Sequence, residues 1–208
     1  MRTTLLLIVI VAVHLLVGSA FGDRLLLIPT GTTLGTGDFR AEYAASGTAR
    51  AYWAATGISR LEVEGAWFNG FGPQPDTAWS VQIAVLPETS FTPALGIGMR
   101  DMGSTTDKSA ALYDGRSLYM AVTKSIELGE GLTFIQDLKL DAGIGTGSLN
   151  GIFFGAEAGL SGRLRLAAEY DTRDFNFAAT YGVAPIVNVR VSSIHGDVYY
   201  GLLLSSSR

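Results

Sequence analysis

Beyond residue 36 the chain alternates. Segments of roughly 7 to 11 residues carry apolar side chains at every second position, and turn residues separate them. Gly37–Ala45 sets Phe39, Ala41 and Tyr43 against Asp38, Arg40 and Glu42. Ser59–Phe68 sets Leu61, Val63, Gly65 and Trp67 against Arg60, Glu62, Glu64 and Ala66. Thr77–Leu86 sets Trp79, Val81, Ile83 and Val85 against Ala78, Ser80, Gln82 and Ala84. Leu132–Gly145 sets Phe134, Leu138, Leu140 and Ile144 against Thr133, Asp137, Lys139 and Asp141. Arg163–Asp171 sets Leu164, Leu166, Ala168 and Tyr170 against Arg163, Arg165, Glu169 and Asp171. Phe175–Gly182, Val187–Ile194 and Val198–Ser205 repeat the pattern, with Asn188 and Arg190 opposite Val187, Val189 and Val191. Less regular strands are expected at Ala49–Ala55, Ala94–Arg100, Ser117–Ser125 and Gly151–Leu160. Only Asp107–Tyr113 reads as a turn of helix. The prediction is an all-β chain of about twelve antiparallel strands in an up-and-down meander.

Alternation fits a soluble barrel with apolar residues inside, or a transmembrane barrel with apolar residues outside. Three features favour the transmembrane form. Lysine occurs only at positions 108, 124 and 139, whereas soluble sheets protect their edges with it. The polar faces instead mix signs, so Arg60, Glu62, Glu64, Arg163, Arg165, Glu169 and Arg190 are expected to face the lumen and pair there. Trp53, Trp67, Trp79, Phe68, Tyr43, Tyr52, Tyr199 and Tyr200 lie near strand ends, where interfacial girdles fall. Connection lengths give a sidedness. The longest, Asn69–Asp76 and Asp101–Arg116, both follow odd-numbered strands, while turns such as Gly57–Ile58, Ser161–Gly162 and Val183–Ile186 follow even ones. Short turns face the periplasm in outer-membrane barrels, so Asp101–Arg116 is the expected outside loop, with Arg100, Asp101 and Lys108 as its partner-contacting candidates.

The first 22 residues read as an export signal. Arg2 precedes the apolar run Leu5–Val17, and Ala20 and Gly22 are correctly spaced for cleavage before Asp23. The expected organisation is a signal peptide over 1–22, a Gly- and Thr-rich lead-in over 23–36, and a barrel domain over 37–208. A barrel of about twelve strands is wider than its wall side chains fill, so the lead-in is a candidate plug. A net charge of −4 offers no general attraction to nucleic acid. With no cysteine, a disulfide scaffold, a thiolate metal site and a cysteine lipid anchor are excluded.

Several segments carry a resemblance: Gly96–Gly103 with Ser117–Lys124, Ala142–Gly147 with Gly151–Glu157, Leu164–Phe177 leading to Tyr181-Gly182, and the opening Ile28–Gly35. Together they resemble the YjbH-like outer-membrane β-barrel family. The resemblance implies an outer-membrane protein associated with exopolysaccharide production or export, and it carries over no catalytic residues. The implied partners are outer-membrane lipid, the outer-membrane assembly machinery and polysaccharide. The end of the chain, Leu204-Ser-Ser-Ser-Arg208, lacks the terminal aromatic residue common in such barrels.

Catalytic and cofactor motifs are sparse. Gly31–Gly37 and Gly143–Gly151 are Gly-rich, but neither opens a helix nor ends in Gly-Lys-Ser/Thr, as a phosphate cradle requires. Asp137, Asp141 and Glu157, with Asn150 nearby, are candidate cation ligands, but alternation puts Lys139 between Asp137 and Asp141 on one face, which favours ion pairing over a cation site. His195 falls in the hairpin turn Ile194-His-Gly-Asp197, a placement that favours a solvated residue over a general base. No cofactor is expected. The reading is a non-enzymatic outer-membrane barrel that assists export or anchoring of an exopolysaccharide or acts as a small porin-like channel. The alternative is a soluble exported barrel that binds a lipid or other apolar ligand.

Overall fold

A computed structural model of the chain describes residues 24–104, 112–113, 115–128, 134–160 and 163–206. The expected signal peptide, Lys108 and most of the expected helical turn at Asp107–Tyr113 lie outside them.

Among the described residues twelve strands follow one another: β1 (Phe39–Ser46), β2 (Ala49–Ile58), β3 (Leu61–Asn69), β4 (Asp76–Leu86), β5 (Ala94–Arg100) and β6 (Ser117–Glu127), then β7 (Ile135–Gly145), β8 (Gly151–Leu160), β9 (Leu164–Tyr170), β10 (Phe175–Ala184), β11 (Val187–Ile194) and β12 (Asp197–Ser205). Each pairs antiparallel with its sequence neighbours, and β1 pairs with β12, so the sheet closes and no edge is left. Closure joins Arg40 to Ser205 and Ala45 to Tyr200 across the seam. The rim carrying the connections after odd-numbered strands is here the upper rim. The opposite rim, where β1 begins and β12 ends, is the lower one.

Tight turns set the register. The β11–β12 hairpin turns on His195 and Gly196, both in the left-handed region (φ 51° and 85°), which matches the twist of paired strands. Ser59 is also left-handed, in the β2–β3 turn (φ 59°). The expected turn at Gly57–Ile58 is therefore corrected. Both residues belong to β2, and the chain reverses at Ser59–Arg60. Register shifts in β4, β7 and β10 fall between Ala84 and Leu86, Ile135 and Asp137, and Gly182 and Ala184, all near the lower rim. Bulges concentrate at barrel rims because they end or redirect pairing. Connection 87–93 also lies on the lower rim, as do the facing ends of β6 and β7. The length asymmetry thus rests on Asp101–Arg116 alone.

The outer face is apolar. Leu118, Met120, Ile144, Ile152, Leu166, Phe177, Val189 and Leu202 are all exposed there. Rows of aromatic rings cross neighbouring strands: Tyr43, Tyr52 and Trp67 at 4.9 and 5.2 Å, and Phe154, Tyr170 and Phe175 at 5.2–6.3 Å. Trp53, Phe68 and Tyr199, grouped with these by sequence, instead point inward and are buried. They sit at positions of inward parity, and they pack with Leu27, Phe71 and Tyr113 into an apolar cluster under the upper rim.

Candidate functional site

The lumen is where charge and the lead-in meet. From the lower rim, residues 36–30 run upward inside the barrel. The chain then turns at Leu26–Leu27, with an antiparallel bridge between Arg24 and Pro29. Leu25, Leu26, Leu27, Ile28 and Leu34 are buried against the wall. The lead-in is a plug, as its length and position allow.

Arg24 occupies the centre. Its Nη2 donates to Glu42 Oε2 at 2.8 Å, and its Nε donates to Glu64 Oε2 at 3.0 Å. Arg190 donates to the other oxygen of Glu42, and Arg40 to Glu64, both at 3.0 Å. The Tyr113 hydroxyl donates to Glu64 Oε1 at 3.0 Å. The guanidinium of Arg24 also lies 4.2 Å from the centre of the Trp53 ring. Positive and negative groups therefore alternate from β11 to β1, through the plug to β3, and back to β1. Buried charges persist only when paired in this way.

Glu169 serves the plug differently. Its carboxylate accepts the backbone N–H groups of Leu26, Leu27 and Ile28 at 2.9, 2.8 and 3.3 Å, and the Asn176 amide at 3.1 Å. Arg165 is held lower in the lumen, paired with Glu157 at 2.8 Å and Asp137 at 2.7 Å. Thr123 donates to Asp141.

Glu62, Glu64, Arg165, Glu169 and Arg190 thus lie on the inner face. Arg60 and Arg163 fall just outside their strands and are exposed at the lower rim. The Arg163 side chain lies over the inward side of Gly182, where an added Cβ would come within 3.3 Å of the Arg163 Cβ, and its guanidinium donates to Val183 O at 3.2 Å. Arg100 and Asp101 are also corrected as outside-loop candidates, because both are buried. Arg100 points inward from the top of β5, donates to Leu27 O and lies 4.4 Å from the centre of the Tyr113 ring. Leu112 and Tyr113 of the same connection fold into the mouth of the barrel. Arg24, Glu42, Thr123 and Gln82 were not singled out by sequence. Parity marks the last three as inward, and Arg24 carries no sequence signal beyond its place in the lead-in.

His195 is not free in solvent either. Its Nε2 is 2.6 Å from Asp171 Oδ2, and its backbone N–H donates to Asn176 Oδ1 at 3.0 Å. Burial pushes the Asp171 carboxyl up. The His195 hydrogen bond, the Asp174 N–H, the nearby histidine charge and the Arg173 N–H outweigh burial and hold that carboxyl well below the usual range. Ser148 lines the same small depression as His195, and its hydroxyl is bonded to Ser117 and to Gly115 O. The group ties the β9–β10 connection to the β11–β12 turn over the upper mouth.

Twelve antiparallel strands closed on themselves, apolar outside and ion-paired inside, define a β-barrel filled by its own N-terminal segment. No protein-family model and no curated protein matches the chain. Among solved structures it is similar to one described as the NanC porin structure in rhombohedral crystal form, at 11% identity and a TM-score of 0.44. That alignment covers 82% of this chain and 98% of the other.

Proposed function

We propose that the chain is a non-enzymatic outer-membrane barrel of porin-like type, exported by its N-terminal signal, whose passage is closed at rest by residues 24–36. The observation that supports this most is the distribution of side chains. Large apolar residues face outward around the ring, while Glu42, Glu64, Glu169, Arg40 and Arg190 are buried inside. A soluble barrel holding an apolar ligand needs the reverse, because an apolar exterior of this extent aggregates in water. Lipid satisfies it, and a closed ladder leaves no backbone group unpaired in the bilayer. The role in exopolysaccharide export or anchoring follows the family resemblance, with polysaccharide and the assembly machinery as partners.

Cell fractionation and gel mobility test the reading. The protein should enter the outer-membrane fraction and, in detergent, migrate differently before and after boiling. Recovery as a detergent-free periplasmic protein would overturn it and favour the soluble barrel.

A further inference from the structure

We propose that the lumen is a receptor for a peptide main chain that runs up the barrel and turns back at its tip, and that residues 24–36 are its tethered ligand, seating and leaving as a unit to close and open the passage. The proposal deepens the channel reading and rests on it only for the consequence of closure.

The plug is held through its backbone by wall side chains. Besides the three N–H groups on Glu169, Thr123 Oγ1 accepts the Gly31 N–H at 2.7 Å and Glu62 accepts the Leu34 N–H at 2.6 Å. Gln82 Nε2 donates to Thr32 O at 2.7 Å, and Arg100 donates to Leu27 O. Such bonds recognise a main-chain path, and water can replace each of them when the segment leaves. The segment shares no continuous ladder with the barrel, only the isolated bridge between Thr36 and Gly57 at its end. Just beyond lies Gly37, left-handed at φ 81°, in a turn closed by the Asp38 N–H on Gly35 O at 3.0 Å. That turn is the tether.

Wall and ligand are also shaped for each other. A Cβ on Gly155 would come within 2.6 Å of Leu25 Cδ2, and one on Gly57 within 2.2 Å of Leu34 O. In the plug, a Cβ on Gly31 would come within 2.7 Å of Thr123 N and 2.8 Å of Ala94 O. The Gly57 and Gly31 contacts are with backbone atoms, which cannot yield as the Leu25 methyl group can. The ligand specified is therefore a peptide that turns at Leu26–Leu27, with glycine where Gly31 lies and a guanidinium where Arg24 meets Glu42 and Glu64. The wall behind it carries paired charges, which water can solvate once the segment is gone.

The test leaves the wall intact and damages only the ligand. In the full chain, Arg24→Glu sets a third carboxylate between Glu42 and Glu64, and Gly31→Val drives a side chain into the wall. Both variants are reconstituted in lipid bilayers. The probe is a fluorescent synthetic peptide with the sequence of residues 24–36. It should bind either variant at least tenfold more tightly than the native chain, whose site is occupied. Peptides bearing Arg24→Glu or Gly31→Val should bind at least tenfold more weakly. Ion conductance of the variants should exceed that of the native chain at least tenfold and fall again when the native peptide is added. Two variants that act by different means keep the test valid if one fails to insert. Equal binding to native and variant barrels, or equal binding of a scrambled peptide, overturns the receptor. Selective binding with unchanged conductance overturns closure alone, and leaves the membrane-barrel reading to its own fractionation test.

Discussion

Glu64 shows how a charge is kept inside this barrel. One carboxylate oxygen takes Arg24 and Arg40, and the other takes the Tyr113 hydroxyl. Removing the charge takes one carboxylate from two buried guanidinium groups. Glu64→Gln is therefore expected to destabilise the folded barrel by about 3–5 kcal/mol, measured by reversible urea unfolding in lipid vesicles. Arg24→Ala should cost less, because Glu42 and Glu64 keep Arg190 and Arg40. A second prediction concerns acid. The folded-state Asp171 carboxyl lies below its unfolded value, near about 3.9, so its contribution to stability is fully present above that pH. It is lost as pH falls from there toward the lower folded value. Thermal unfolding in detergent should thus move to lower temperature below about pH 4, and Asp171→Asn should flatten that part of the profile. An unchanged acid limb in Asp171→Asn would show that other carboxylates dominate it.

At the scale of the strand, period-two alternation does most of the work. Val187–Ile194, Ala94–Arg100 and Gly151–Leu160 are bounded as the pattern predicts, because turn residues flank each of them. Faces were legible too: Glu62, Glu64, Arg165, Glu169 and Arg190 follow parity into the lumen. Arg60 and Arg163 lie past the strand ends at the lower rim, so they stay exposed and outside the buried ion-pair network. Trp53, Phe68 and Tyr199 were assigned by nearness to strand ends, although Trp53 and Phe68 share parity with the buried Glu42 and Glu64 across the ladder. Parity turns them inward, and their apolar neighbours there are the plug tip and Tyr113, which arrive from distant parts of the sequence and leave no local pattern. The contacts of Arg24 and of Arg100 are hidden for the same reason. Parity also makes a prediction for β10. Phe177 faces out and Ala178 faces in. Phe177→Arg should cost about 2–4 kcal/mol in a bilayer if the site lies near the midplane, read from the same vesicle unfolding assay. A cost near zero would place position 177 in water or at the interface.

For the whole molecule, closure, an apolar exterior and an occupied lumen belong together. A ring of twelve strands leaves more interior than its wall side chains fill, and here buried plug residues occupy it. With the upper rim outside the cell, a protease added to intact cells should cut near the exposed Arg116. It should spare the lower-rim turn at Ser59–Arg60, which opens to cleavage only after permeabilisation. The reverse pattern would invert the barrel in the membrane.

The most direct measurement is the environment of single nitroxide labels on the protein reconstituted in lipid, at positions 166, 177 and 189, with a fourth at exposed Arg116 as the aqueous reference. The chain contains no cysteine, so each introduced site is unique. Labels at 166, 177 and 189 should be relaxed strongly by dissolved oxygen and weakly by a water-soluble nickel chelate, with the opposite ranking at 116. Water-like accessibility at all three outward positions would contradict the membrane barrel and restore the soluble one.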